Sequence, residues 1–462
     1  MLFNSLVFLY AFLPATYVVF WRLRHKNARY VWLTITGYAF YAGWDYRFCA
    51  LMALTTVVAY VAGLGFLRWS DARRRRLCLI APITVDLALL GFFKYAGLGL
   101  DTVNRLAGWL DLPLFLSGPE IVLPIGISFY TFHTITYIVD AYRGTIVPTR
   151  NFFEFSCYVS LFSQLVAGPI VRFRQIERDL EHIDESRPDA TWNVGWSFFA
   201  IGMIKKVLVA DTIAAIIDPA LADYGALSTA GAWLCLTGYA YQLYFDFSGY
   251  SDMAVGLGHL FGLRIPQNFD SPYQATDPSD FWRRWHISLS TCLRDYLYIP
   301  LGGGRDGAWR TARNVMITML LGGLWHGASW TFVAWGAYHG LLLVAYRLAR
   351  PAWDALPVVL RRGATFLLVV LGWVPFRADD WTMARSLLGT MFSFTRAPAL
   401  PGLVGLVSLL AAAAVVAHGA RNTWQMEHRW SPATGAGLAA LFALSLLVIT
   451  AGQRTPFLYF QF

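Results

Sequence analysis

Apolar residues recur along the whole chain in long runs that are separated by short polar stretches. Because a helix needs about 20 mostly apolar residues to cross a bilayer, these runs predict membrane-spanning helices. The predicted segments lie near residues 2–21, 30–44, 48–67, 77–93, 121–139, 152–171, 194–217, 229–247, 312–325, 329–348, 363–377, 402–418 and 434–451. Since several are short or polar, we predict about eleven full crossings, with the remaining segments re-entrant or interfacial.

The loops between these segments alternate in charge. Basic residues cluster at 22–29, 68–76, 143–150 and 172–178. Cytoplasmic loops of membrane proteins are enriched in Lys and Arg, so the pattern predicts an external N-terminus and basic loops in the cytoplasm. Segment 152–171 lies between two such loops, which predicts that it is re-entrant and broken near its "AGP" end.

Composition supports a polytopic membrane protein, because 57% of the 462 residues are hydrophobic and only 14% are charged, against about 25% charged in soluble proteins. The net charge of +9 is explained by basic cytoplasmic loops, and no nucleic-acid partner is predicted. The first apolar run lacks a preceding basic stretch and a cleavage site, so we predict a retained span. The five cysteines are scattered without a CxxC pair, which predicts neither a disulfide framework nor a metal site.

Region 264–313 carries too many charges to span a membrane and too many aromatic residues for an ordinary loop. Helical spacing in "FWRRWHISLSTCLRDYLYI" places five apolar side chains on one stripe: Trp282, Trp285, Leu289, Leu293 and Tyr296. This pattern predicts one helix lying in the membrane interface, with His286 at its middle.

A second histidine, His326, lies in the apolar run "LLGGLWHGASW". Neighbouring glycines permit close approach of backbone or ligand, and a neutral imidazole can take a proton from an attacking hydroxyl. A histidine packed for structural reasons is an equally good interpretation of the residues alone. On a continuous helix His339 would lie about 20 Å further along, which would exclude it from the same chemistry. His133, among aromatic residues in a predicted span, is a candidate to line a cavity.

Two carboxylates, Asp246 and Asp252, flank Ser248 and Tyr250 in "YQLYFDFSGYSDMAVGLG". A carboxylate at membrane depth lines a cavity, relays protons or caps a helix, and we expect capping for at least one of the two. The GxSxG pattern of serine hydrolases is absent from this stretch, so no serine nucleophile is predicted.

Several ordered motifs resemble those of the membrane-bound O-acyltransferase family, and within it the bacterial alginate O-acetylation branch. They are "LPIGISFYTFHTITYIVDAYRG", "GPIVRF", "KKVLVADT", "LYFDFSGYSDMAVGLG", "NFDSPY", "DFWRRWHISLSTCLRDYLYIPLGG", "NVMITMLLGGLWHGASWTFVAWGAYHG" and the closing "PFLYFQF". The resemblance extends over essentially all of residues 1–462, with the core motifs in 121–348. It therefore implies a single integral membrane domain.

The resemblance also implies a fold and a site. Relatives are all-α, with a ring of transmembrane helices around a central tunnel that the acyl donor enters from the cytoplasm. His326 matches the family's catalytic histidine and His286 its second histidine. Further candidates to line the tunnel or bind substrate are Trp325, Trp285, Asp246, Ser248, Tyr250, Asn268 and Arg294. Acetyl-CoA is the expected donor and substrate, with no bound cofactor or metal.

The implied function is an acetyltransferase of the cell inner membrane that serves O-acetylation of an exported polysaccharide, most directly alginate. Expected partners are membrane lipid, periplasmic acetyltransferase or acetyl-carrier proteins, and the polysaccharide, acetylated directly or through a partner. Peptidoglycan, cellulose or another exopolysaccharide is an alternative acceptor. A further alternative is a non-catalytic transporter that supplies acetyl groups to a periplasmic transferase. Dependence of transfer on His326 distinguishes the enzyme from the transporter.

Overall fold

The computed structural model describes residues 1–119, 121–452 and 457–458, and no β-strand occurs among them. The described residues form the α-helices α1 (Leu13–Arg22), α2 (Lys26–Asp45), α3 (Cys49–Arg68), α4 (Ala72–Leu90), α5 (Ala96–Trp109), α6 (Ile127–Arg143), α7 (Phe152–Ser160), α8 (Phe173–Glu181), α9 (Pro188–Ile204), α10 (Asp211–Ala222), α11 (Thr229–Leu260), α12 (Pro278–Arg284), α13 (Ile287–Leu293), α14 (Ala308–His326), α15 (Trp330–Asp354), α16 (Val358–Arg377), α17 (Trp381–Phe392), α18 (Leu403–Gly419) and α19 (Pro432–Thr450). Wider π-helical turns occur at Phe8–Phe12, Gly91–Tyr95, Lys205–Ala210 and Arg294–Tyr298.

Within the described part of the chain, five helical stretches are long and apolar enough to cross a membrane: Lys26–Arg68, Ala72–Trp109, Trp330–Asp354, Val358–Arg377 and Pro432–Thr450. The protein is therefore an all-helical, multi-pass membrane protein. The closing "PFLYFQF" motif is described only at Phe457 and Leu458, and its other residues lie outside the described part.

The chain forms two compact units, of which the first comprises residues 1–196 and 254–266. In this unit α2 packs against α7, while α3, α4 and α6 pack against one another. Its buried polar groups include Asp86, which accepts a hydrogen bond from the Thr134 hydroxyl at 2.7 Å. His133 of α6 is also fully buried, with its ring centroid 5.6 Å from that of Tyr158.

Segment 152–171 does not form a full-length helix. Helix α7 ends at Ser160 after nine residues, and the chain continues in turns and irregular structure until α8 begins at Phe173. The predicted break in this segment is confirmed, although it comes earlier than the "AGP" sequence. Its re-entrant course through the bilayer stays a prediction.

The second unit comprises residues 197–253 and 267–462 and contains all the candidate site residues except His133. Helices α14 and α15 form an antiparallel hairpin. Helices α12 and α16 both pack against α15. Helix α12 starts sharply because Asp277 accepts a hydrogen bond from the backbone N–H of Asp280 at 2.7 Å and Pro278 occupies the first turn. These elements position the histidines described next.

Candidate active site

His326 is the last residue of α14, because Gly327 leaves the helical conformation at φ −158° and ψ 151°. The next helix begins at Trp330, where the Ser329 hydroxyl accepts a hydrogen bond from the Thr331 backbone N–H at 3.3 Å. The imidazole of His326 is only 4% exposed. A helix end and a short extended connection therefore hold this side chain inside the unit.

The hairpin of α14 and α15 depends on two glycines. A Cβ atom at Gly323 would collide with the carbonyl oxygen of Phe332, and one at Gly336 with that of Met319. The two helix backbones can approach this closely only because glycine has no side chain. Helix α15 consequently returns directly alongside α14 and brings its aromatic residues to His326.

Aromatic rings surround His326 on several sides. Its ring centroid lies 4.9 Å from that of Trp335, 5.0 Å from Trp325, 5.3 Å from Phe376 and 6.3 Å from His286. Trp335 is 1% exposed and Phe376 2% exposed, so the environment is apolar and shielded from bulk water. An imidazole in such surroundings can act on a reactive ester or thioester without competition from bulk water.

His286 has a left-handed backbone conformation, with φ 44° and ψ 55°, immediately before α13. Its Nδ1 lies 3.1 Å from the Oδ1 atom of Asn268, which also accepts hydrogen bonds from the backbone N–H and the hydroxyl of Ser288. The imidazole is completely buried, and its ring centroid lies 6.3 Å from that of His326. The structure thus brings together the two histidines that are 40 residues apart in sequence.

The predicted single interfacial helix around His286 is wrong. Helix α12 ends at Arg284, α13 begins at Ile287, and the strained His286 separates the two. A stripe drawn at continuous helical spacing therefore does not exist. Trp285 is 1% exposed and faces the interior of the unit instead of a membrane interface.

The two tryptophans predicted beside the histidines have different neighbours. Trp325 lies beside both histidines, with its ring centroid 5.0 Å from that of His326 and 5.8 Å from that of His286. Trp285 packs against Phe269 at 5.1 Å and Trp373 at 5.0 Å. Trp325 is thus adjacent to both imidazoles, whereas Trp285 belongs to the aromatic packing around them.

Asp246 and Asp252 lie inside the long helix α11, so the expectation that one of them caps a helix is wrong. Asp246 pairs with the Lys206 ammonium group at 2.5 Å, and its Oδ2 accepts a hydrogen bond from the Leu458 backbone N–H at 3.1 Å. Lys206 also pairs with Asp211 at 2.7 Å. These charges are buried but paired. The suggested role of Asp246 in lining the tunnel or binding substrate stays a prediction.

The remaining polar candidates on α11 are also buried. Asp252 pairs with Lys205 at 2.6 Å and accepts a hydrogen bond from the Thr423 hydroxyl at 2.6 Å. Ser248 is 2% exposed. Tyr250 stacks on Phe457, with ring centroids 4.5 Å apart. Their suggested contact with substrate stays a prediction.

A cavity of about 670 Å³ lies beside α12, α13, α14 and α15. Its lining includes four arginines, Arg283, Arg294, Arg347 and Arg350, together with Trp282, Tyr298 and Tyr346. Arg294, which is a sequence candidate, is 58% exposed and also pairs with Asp295 at 2.7 Å. The cavity therefore has the positive charge and aromatic surfaces suited to a phosphate-bearing ligand.

Ring contacts connect this cavity to His326. Trp282 lines the cavity and lies 5.6 Å from Trp335 between ring centroids, and Trp335 lies 4.9 Å from His326. The same Trp335 ring is 5.0 Å from His339. The premise for excluding His339, one continuous helix from His326, is wrong because the chain reverses after His326. Whether His339 takes part in the chemistry stays untested.

With this geometry established, comparison with known proteins identifies the chain. Residues 144–371 match the sequence model of the membrane-bound O-acyltransferase family. The probable alginate O-acetylase AlgI of Pseudomonas putida is 40% identical over 100% of both chains. The protein of the same name from Pseudomonas aeruginosa is 45% identical over 85% of this chain and 75% of its own. The peptidoglycan O-acetyltransferase of Helicobacter pylori is 35% identical over 85% and 80%, respectively.

The chain belongs to the membrane-bound O-acyltransferase family. This membrane-bound O-acyltransferase is therefore an enzyme, and its multi-pass helical structure agrees with that family. The predicted family and its alginate O-acetylase branch are confirmed.

Some site residues of this acyltransferase were missed from the sequence. Trp335 and Phe376 come from α15 and α16, and nothing in their local spacing singles them out from other aromatic residues. Arg283, Arg347 and Arg350, which line the cavity with Arg294, were not among the sequence candidates.

Proposed function

We propose that this acyltransferase moves acetyl groups from acetyl-CoA to a hydroxyl group in the O-acetylation of an exported polysaccharide, alginate in the first instance. The observation that carries the proposal is the pair of buried imidazoles, His286 and His326, in an apolar environment that is linked by ring contacts to an arginine-lined cavity. The relatives support it, since those that match over the full length of this chain are named alginate O-acetylases.

In the proposed reaction, the Nε2 or Nδ1 atom of His326 takes the proton of the acceptor hydroxyl. The hydroxyl oxygen attacks the carbonyl carbon of the acetyl thioester, and the carbon–sulfur bond breaks. The thiolate then recovers the proton from the imidazolium, giving an O-acetyl ester and the free thiol of CoA. His286 binds or orients the reacting groups, and Trp325 excludes water that would hydrolyse the donor.

The donor is proposed to bind in the 670 Å³ cavity. Arginine side chains form strong, charge-assisted hydrogen bonds to phosphate, and the aromatic side chains of Trp282 and Tyr346 offer stacking surfaces for an adenine ring. We further propose the arrangement implied by the family resemblance. It consists of about eleven crossings of the inner membrane around a central tunnel, with periplasmic partner proteins completing transfer to the polymer.

The proposal is tested by reconstituting the protein in vesicles with labelled acetyl-CoA, candidate periplasmic partners and polymer. We expect His326→Ala to lower transfer by about 100-fold or more while expression and membrane insertion are retained. His182→Ala, at an exposed position in the first unit, is the matched control and should transfer normally. Undiminished transfer by His326→Ala would support a transporter that feeds a separate enzyme.

Peptidoglycan is the second candidate acceptor, because the Helicobacter pylori relative is named for it. Alginate is preferred, since two alginate O-acetylases are 40% identical over 100% of this chain, whereas this relative is 35% identical over 85%. Offering both polymers to the same reconstituted system decides between them: label that appears only in peptidoglycan fragments overturns the alginate assignment.

A further inference from the structure

Asn268 contacts the candidate active site through His286. It lies in the second unit, in the loop that follows residues 254–266. Its backbone carbonyl accepts a hydrogen bond from the Ile287 N–H at 2.9 Å. Its side-chain Oδ1 accepts bonds from the Ser288 backbone N–H at 3.1 Å and the Ser288 hydroxyl at 2.8 Å. Asn268 thus holds the backbone on the C-terminal side of His286.

These contacts determine which way the Asn268 amide points. The Ser288 backbone N–H can only donate, so the amide atom that faces it must be the oxygen. The amide nitrogen then points the other way and donates to the Ser251 hydroxyl at 3.1 Å. The opposite orientation would place two N–H donors against each other.

The orientation of the amide in turn determines the proton on His286. Nδ1 of His286 lies 3.1 Å from the same Oδ1 atom, which only accepts hydrogen bonds. Two acceptors at this distance would repel, so Nδ1 must carry a hydrogen. Burial lowers the pKa of His286 to about 3, so the ring is neutral at ordinary pH. A neutral ring with Nδ1–H has its lone pair on Nε2.

We propose that Asn268 is a positioning residue for acyl transfer, which fixes His286 as the Nδ1–H tautomer and so presents the Nε2 lone pair to the reacting groups. This inference assigns Asn268 a role different from the substrate contact suggested by its sequence, and its role in transfer rests on the function proposed above. It also accounts for the left-handed backbone of His286, because the Asn268 contacts to residues 287 and 288 hold a conformation that is unfavourable for a residue other than glycine.

The inference predicts different outcomes for two substitutions. Asn268→Leu removes the acceptor but keeps the approximate volume, so His286 loses the bond that selects its tautomer. We expect kcat to fall by about 100-fold and KM to change by less than about threefold. Asn268→Asp keeps an acceptor for both N–H groups, so it should retain most of kcat at neutral or higher pH.

The aspartate variant also provides a pH readout that a purely structural role would not change. A carboxylate beside His286 favours the charged imidazolium, which raises the pKa of His286 by about one to three pH units. Since the reaction needs neutral His286, the acid limb of the kcat profile should move to higher pH. Gln267→Leu, which removes a neighbouring amide that donates to the Phe269 carbonyl, is the matched control and should leave the profile unchanged.

The tautomer can be measured without any activity, by ¹⁵N NMR of protein labelled at histidine, with His286→Ala to assign the signals. A protonated Nδ1 and an unprotonated Nε2 in His286, altered in Asn268→Leu, are the expected result. A protonated Nε2 in the wild type would overturn the inference, as would an Asn268→Leu variant that folds and keeps kcat within about threefold. If the tautomer is as expected but His286→Ala transfers normally, the proposed role of His286 in the reaction fails and the geometric assignment stands.

Discussion

Replacement of Lys206 by methionine should destabilise the second unit strongly. The Lys206 side chain is 3% exposed, and its ammonium group lies 2.5 Å from Asp246 and 2.7 Å from Asp211. At these distances each pair gains a gross attraction of about 6 kcal/mol with an effective dielectric constant of about 20, much of which is offset by desolvation. Methionine keeps the length of the side chain but leaves two carboxylates buried without their cation. The expected net loss is therefore about 3–5 kcal/mol.

The measurement is equilibrium unfolding of the purified protein in mixed micelles with increasing denaturing detergent. Lys205→Met is the matched control, because Lys205 is more exposed and faces a single carboxylate, Asp252, at 2.6 Å. Its expected loss is about half as large. Adding Asp246→Asn to the Lys206→Met variant should recover about 1–2 kcal/mol, since it removes one unpaired charge. A Lys206→Met protein within about 0.5 kcal/mol of the wild type would refute the argument.

Three further predictions concern the hairpin, the aromatic surroundings of His326 and the cavity. Gly323→Ala should cost about 1–3 kcal/mol of stability in the same unfolding assay, because its new Cβ atom would meet the backbone of α15. Gly405→Ala is the control and should cost nothing, since a Cβ atom there would point into open space. Equal stability of the two variants would contradict the close packing. Trp335→Ala should raise the ratio of the rate with butyryl-CoA to the rate with acetyl-CoA by about tenfold or more, because it removes a ring beside His326. An unchanged ratio would show that this ring does not limit the size of the acyl group. Arg294→Gln and Arg347→Gln, made separately, should each raise the KM for acetyl-CoA by about three- to tenfold and leave kcat nearly unchanged. The effect should be clearest at low salt, where charges are least screened. KM values that do not depend on salt would place the donor elsewhere.

The helical, membrane-spanning character of the fold follows from the sequence, because apolar runs of sufficient length have few alternatives in a bilayer. Helix ends were less predictable. The break at His286 has no glycine or proline to announce it and is held by Asn268, a residue 18 positions earlier in the chain. Periodicity describes contacts within a helix, so it cannot register a break that is stabilised by a distant segment.

Site residues could be predicted where a family motif identified them individually. They could not be predicted where tertiary packing determines which side chains come together. His326 and His286 were named from their motifs, and the structure places their rings 6.3 Å apart. The spatial partners of His326, such as Trp335, became evident only once α15 was seen to fold back along α14. Asp246 illustrates the opposite case: its position among apolar residues indicated a site, but a buried lysine 40 positions earlier neutralises it.

The edge-to-face contact between Trp282 and Trp335, which connects the cavity with His326, has a consequence for proton leakage across the membrane. Under the proposed function, a route that also let protons cross the membrane would dissipate the gradient that drives ATP synthesis. Closely packed aromatic rings offer few polar partners to water, so they disfavour a chain of water molecules along which protons could hop. With the donor in the cavity as proposed, the same ring contacts would slow both hydrolysis of the donor and leakage of protons.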